Sequence, residues 1–141
     1  MTDAKFEKVS CTSKCLYGPR KLLLCGFEPA VQGKFDTLLE MLGFADLTRV
    51  WAASGQSDLR LEQLMGLDDG SGHGERSGLP RAVIMAGIAE EELHRLMNGA
   101  RKAGMRDGLW ATLTPVSERW QLKDLLAELA AEREAMRKRS K

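Results

Sequence analysis

Short runs of consecutive apolar residues alternate along the chain with longer stretches in which apolar residues return every three or four positions. Leu22, Leu23, Leu24 and Cys25 form the first run, and its continuity predicts a strand covered on both faces. Gly26 ends it. Glu28 and Pro29 suit a helix's first turn, because proline lacks a donor that would stay unpaired there and glutamate complements the dipole. Val31, Phe35, Leu38, Leu39 and Leu42 then recur at helical spacing up to Gly43, a C-terminal stop. Residues 48–53, TRVWAA, predict a second strand from their β-branched and aromatic content, parallel to the first if the crossover is right-handed. Leu61, Leu64 and Met65 predict a short helix that Ser57 or Asp58 would cap.

The same order of patterns then returns. Residues 82–86 repeat the apolar run and end at Gly87. A helix opened by Glu90, Glu91 and Glu92 carries Leu93, Leu96, Met97 and Ala100 inward and closes on Arg101, Lys102 and Gly104, with acids leading and bases trailing as the dipole favours. Residues 109–113 predict a fourth strand, Pro115 breaks it, and Ser117 is positioned to cap a last helix through Leu122, Leu125, Leu126, Leu129 and Met136. Gly26 matches Gly87, Gly43 matches Gly104, Trp51 matches Trp110, and Leu61, Leu64 and Met65 match Leu122, Leu125 and Leu126. The spacings agree to within a couple of residues, which reads as an internal duplication.

The expected organisation is one compact domain: a polar segment at 1–19, a first copy at 20–65, a glycine-rich linker at 66–80 and a second copy with an extended helix at 81–141. The fold class is α/β. The duplicated strand-helix-strand-helix unit forms one four-stranded sheet with helices packed on it, either largely parallel or ferredoxin-like. Gly66, Gly70, Gly72, Gly74 and Gly78 leave the linker without periodicity, as in a flexible spacer.

Composition narrows the function. With 43% hydrophobic and 29% charged residues and a net charge of +1, the body of the molecule has no dominant field to steer nucleic acid or a membrane surface. No apolar run approaches a bilayer span, the first ten residues lack the apolar core of a signal peptide, and three cysteines suit reduced thiols. A cytoplasmic protein with no membrane partner is expected.

Candidate chemistry is sparse. Cys11 and Cys15 form a C-x3-C pair, but a radical-type cluster would want a third cysteine where Gly18 stands, and zinc would want a further ligand pair. Cys25 is expected in the core. His73 falls in the linker and His94 follows three glutamates, neither at a triad spacing from a nucleophile. Asp68, Asp69 and Gly70 lack the alternating ligands of a calcium loop. Gly26 and Gly87 stand where phosphates bind in doubly wound proteins, yet without the further glycines or the lysine of such loops, so a tight turn is the expectation. No catalytic residue, metal or cofactor is expected.

The second copy resembles a family of short bacterial modules of unknown function. The likeness covers residues 82–126 and rests on the strand closing at Gly87 and Ile88, the acidic start at Glu90 to Glu92, Ala103 with Gly104, the Leu113, Thr114, Pro115 strand end, and Trp120 followed by Leu122, Leu125 and Leu126. The first copy lacks the Leu-Thr-Pro and the late tryptophan. The resemblance implies a fold and no residue-level activity.

The function expected from sequence is a non-catalytic interaction or regulatory module with a protein partner. The alternative is a nucleic-acid-binding protein, motivated by the basic helix end; a small enzyme using the Cys11 and Cys15 thiols ranks last. Candidate partner-binding residues are Trp120, Arg137, Lys138, Arg139 and Lys141.

Overall fold

Each apolar run becomes a central strand because its alternate residues are claimed by two different layers. The computed structural model describes residues 15–105 and 108–139. Strand β1 (Lys21–Cys25) turns Leu22 and Leu24 to one face of the sheet and Leu23 and Cys25 to the other, all four buried. Strand β3 (Ala82–Ala86) does the same with Val83 and Met85 against Ala82, Ile84 and Ala86. Burial pushes the Cys25 thiol up to about 12, so it stays a neutral core side chain, as expected.

Helices α1 (Pro29–Met41) and α3 (Glu90–Lys102) cover the first face, and α2 (Leu61–Met65) and α4 (Leu122–Arg139) cover the second. Strands β2 (Thr48–Ala52) and β4 (Leu109–Thr112) complete the sheet in the order β2-β1-β3-β4. This is the α/β architecture expected, one open four-stranded sheet with packed helices. Its pairing is mixed: β1 and β2 are parallel, β3 and β4 are parallel, and the two copies stand side by side at an antiparallel β1–β3 seam centred on Leu23 and Ile84.

The matching of the two halves is more regular than the sequence pattern suggests. Every strand and α-helix of the second copy starts 61 positions after its counterpart, from Lys21 and Ala82 through Pro29 and Glu90 to Leu61 and Leu122. The contacts across the seam are reciprocal as well. Leu61 N–H donates to Trp120 O at 3.0 Å while Leu122 N–H donates to Leu59 O at 2.9 Å. Gly26 (φ +74°) lies against the backbone of residues 79–81, and Gly87 (φ +67°) against that of residues 18–20, so a Cβ at either would collide with main chain of the other copy. Both glycines are thus tight turns, as expected, and also the close approach that lets the copies meet.

Local expectations shift in three places. Trp51 faces Leu24 and Trp110 faces Val83, the counterpart of Leu22, so the two tryptophans are offset by one pleat: Trp110 corresponds to Arg49, and Trp51 to Thr112. A two-residue shift keeps both rings on the same face, so alternation alone cannot detect it. Second, α2 is not capped by Ser57 or Asp58. It starts at Leu61, where the Gln63 side chain accepts from Arg60 N–H at 2.9 Å. Third, α4 starts at Leu122, and Ser117 instead opens a 3₁₀ turn (Ser117–Arg119), its hydroxyl accepting from Thr114 N–H at 3.0 Å.

Candidate docking site

The two outer strands of the sheet start 61 residues apart, at matching places in the two halves, and have different surroundings. Along β2, the glycine-rich span that reads as a spacer lies against the strand. Gly70 N–H donates to Arg49 O at 2.7 Å, Trp51 N–H donates to Ser71 O at 2.8 Å, and Arg49 N–H donates to Asp69 Oδ1 at 2.9 Å. The cover is tied down further by buried Gln32, whose carbonyl oxygen accepts from Gly74 N–H at 2.7 Å and whose amide donates to Glu75 O at 3.3 Å. His73 is also part of the fastening: its Nε2 lies 3.1 Å from Asp36 Oδ2 and its ring stands edge-on to Trp51 at 5.3 Å. Asp36 accepts from Arg49 Nη1 at 2.7 Å, and Trp51 completes its aromatic cage with Phe27 and Phe35. Asp69, which fails as a calcium ligand on spacing, serves as the backbone acceptor of this cover.

Along β4 nothing equivalent is present among the described residues. Leu109 N–H donates inward to Arg81 O and Leu113 N–H inward to Met85 O, both at 2.9 Å, so the pleat turns the Trp110 and Thr112 backbone groups outward. Where α2 stops at Gly66, α4 runs on to Arg139, and every residue after Leu129 in it is exposed. Between this helical arm and the β4 edge lies a groove of about 360 Å³ lined by Leu109, Trp110, Leu129, Arg133, Met136 and Arg137. A second hollow of about 200 Å³ opens on the other face of the strand, between Trp110 and the α3 residues Met97 and Arg101. Trp110 is partly buried, in contrast to Trp51 at 3% exposure, and Met136 is 63% exposed.

The candidate residues divide between two places. Arg137 lies in the groove and pairs loosely with Glu134 at 3.4 Å. Lys138 and Arg139 continue the exposed arm, and Lys141 lies outside the described residues. Trp120, 36% exposed, lines a separate cavity of about 490 Å³ near the seam with Arg60, Arg119 and Asp124. It lies just before α4 while Arg137 lies in the last turn of that helix, with some 15 helical residues or roughly 22 Å between them, so the two do not form one surface. Cys11 lies outside the described residues; Cys15 is exposed and forms an isolated bridge with Ala89. His94 is exposed.

Arg81, Arg101, Arg133 and the edge position of Trp110 are the members that sequence reading passed over. Their signal was available in the comparison of copies: Arg101 stands where the first copy has Glu40, and Arg133 where it has Gly72. Arg81 matches Arg20. Arg20 is satisfied by Glu92 at 2.8 Å and Asp46 at 3.3 Å, whereas Arg81 stacks over Phe27 at 5.3 Å with its Nε buried and without a hydrogen-bond partner.

Among the described residues, no helix is long and apolar enough to cross a membrane, and no group of three histidine, cysteine or carboxylate side chains is placed to hold a metal ion. A family model described as a domain of unknown function, DUF3783, matches residues 81–136. That span contains the 82–126 resemblance, the β4 edge and most of the arm. No curated protein and no solved structure matches the chain.

Proposed function

We propose that this chain is a non-catalytic interaction module whose second copy presents the β4 edge and the α4 arm to a protein partner. The observation that carries this reading is the unequal treatment of two matching edges: the first is closed by the chain itself, and the second is left uncovered by the described residues beside an aromatic and arginine-lined groove. Exposed sheet edges pair readily with other chains, so one that persists beside a structured groove points to use. Tryptophan, methionine and arginine, all present here, are the side chains enriched where proteins dock. The first copy serves as scaffold, anchoring β3 through the seam.

The test is affinity capture from the native host with and without nuclease, comparing the wild type with a Met136→Glu, Arg137→Glu variant. A nuclease-resistant protein retained by the wild type and lost by the variant is expected. Capture that survives both changes would place the partner elsewhere on the molecule.

A nucleic-acid role is the second reading, favoured by the nearness of Arg101, Arg133 and Arg137 to Trp110 and by the basic end of the arm. Binding of that kind weakens steeply with salt as phosphate contacts release counterions. Removal of residues 137–141 would then lower affinity for all sequences alike, and a truncation without effect at low salt would dismiss it.

A further inference from the structure

We infer that the outer edge of β4 receives an extended, acidic peptide segment of the partner as a fifth strand. This rests on the docking reading above and adds the chemistry of the occupant. The first copy supplies the template. Arg49 N–H, Arg49 C=O and Trp51 N–H are the three outward groups that its covering segment satisfies, through Asp69 Oδ1, Gly70 N–H and Ser71 C=O. By register their counterparts on β4 are Trp110 N–H, Trp110 C=O and Thr112 N–H, and no described residue bonds to them on the outer side. A peptide strand meets such a row with main-chain hydrogen bonds and takes its selectivity from pockets on alternate sides. Here those pockets are the α4 groove and the α3 hollow, one on each face of the strand.

Charge selects the peptide. Arg133 and Arg137 line the groove on one face, Arg101 lines the hollow on the other, and Arg81 adjoins the groove with its Nε unpaired; Glu132 and Glu134 are the acids among them. The covering segment of the first copy is acidic at Asp68, Asp69 and Glu75 and meets its strand at Arg49. The second copy has more arginine at its edge and, among the described residues, no acidic segment over it, so a carboxylate-bearing strand is the complement.

The experiment selects a random ten-residue peptide library on the immobilised full chain and follows backbone amide exchange with the best binders. Enriched peptides are expected to be net acidic and to slow exchange at Trp110 and Thr112 by about tenfold or more. N-methylation at alternate peptide positions, which blocks strand pairing and spares the side chains, is expected to lower affinity by about tenfold or more. The Arg133→Glu, Arg137→Glu double variant, at two exposed positions and with its melting curve measured beside the wild type's, should lose the acidic preference. Enrichment of basic peptides, or preferential capture of single-stranded oligonucleotides over any peptide, overturns the inference. So does protection of Trp110 and Thr112 that rises with protein concentration in the absence of peptide, which would assign the edge to a second copy of this chain. Peptides that bind across Trp110 and Met136 without protecting the amides overturn strand addition and leave the docking reading intact. Failure to enrich any peptide overturns the inference, and the docking reading falls with it only if the capture experiment is also negative.

Discussion

Residues 66–80 and the positions from 127 onward come after the first five residues of helices that start 61 residues apart, and the two stretches end as opposites. In the first copy Gly66 closes a five-residue helix and the following chain folds back over β2, satisfying its outward backbone groups and sealing Trp51. In the second, Ala127 replaces that glycine and the helix continues through 18 residues, leaving β4 without a cover among the described residues. The replacement is small in sequence and large in consequence. Helix propagation adds a hydrogen bond per residue once the first turn exists, so removal of a terminating glycine lets a helix absorb a segment that would otherwise wrap. One copy is thereby a closed structural half, and the other carries an edge, a groove and an arm.

The largest test of that comparison separates the halves. Residues 1–77 and 78–141 share the β1–β3 seam, the reciprocal glycine contacts and the Arg60–Gln121 bridge, and each would be left with two of the four described strands. Neither is expected to hold a native fold alone, and mixing is expected to restore it. The second half, whose β3 and β4 edges would both lack a cover from the described residues, should aggregate at lower concentration than the first. A dispersed monomeric spectrum from either half would show that the copies are independent domains.

Next in size are the tryptophans. Trp51→Ala removes a ring packed by Phe27, Phe35 and His73 and should cost about 3–5 kcal/mol, whereas Trp110→Ala, at a partly open site, should cost about half as much. Each is expected to lower one cooperative melting transition, because both rings pack into the same core layer. Equal costs would mean that Trp110 is as enclosed as Trp51.

What sequence made legible follows from what periodicity encodes. The run from Leu22 to Cys25 predicts a strand buried on two faces, and it is one; the helical spacings and the glycines at 26, 43, 87 and 104 locate the turns where they occur. Which strands face each other across the copies is not written in any period, since β1 would bury the same residues beside β3 in either direction. The one-pleat offset of the tryptophans is hidden for a related reason, as both registers bury the same face. The linker misled because glycine and aspartate mark a spacer by composition, while here they are used for backbone approach: a Cβ at Gly72 (φ +80°) would collide with Trp51 O. The groove stayed unread because it depends on an absence of cover, visible only once the first copy shows what a covered edge looks like.

Gly72 therefore gives a local probe of the difference. Gly72→Ala should lift the cover from β2 at a cost of roughly 1–3 kcal/mol, through the collision and the strained backbone together. Amide exchange at Trp51 should rise toward that of the outward β4 amides, making the first edge resemble the second. Unchanged protection of Trp51 would mean that the cover holds without its close approach.

The smallest effect concerns the ion pair that only one copy has. Glu92 accepts from Arg20 Nη1 at 2.8 Å and from Ala89 N–H at 2.9 Å, and the Arg20 hydrogen bond, with the Ala89 amide and the nearby positive charge, holds its carboxyl below the usual range against the opposing effect of burial. The first copy has Val31 at that position, so Arg81 lacks the carboxylate that Arg20 enjoys. A folded-state pKa below the unfolded value means that the pair's contribution is fully present above the ordinary glutamate value of about 4.3 and is lost as pH falls through the folded value. Glu92 is partly buried but its partner Arg20 reaches the surface, so solvent still screens the pair, and Glu92→Gln is expected to cost less than about 1 kcal/mol near neutral pH, to show a smaller cost at high salt, and to show none in acid. Denaturant melts of wild type and variant at several pH values measure this. Curves that stay parallel through the acidic range would show that Glu92 acts by its helix-opening hydrogen bond to Ala89 alone, and that the charge asymmetry between Arg20 and Arg81 has no energetic weight.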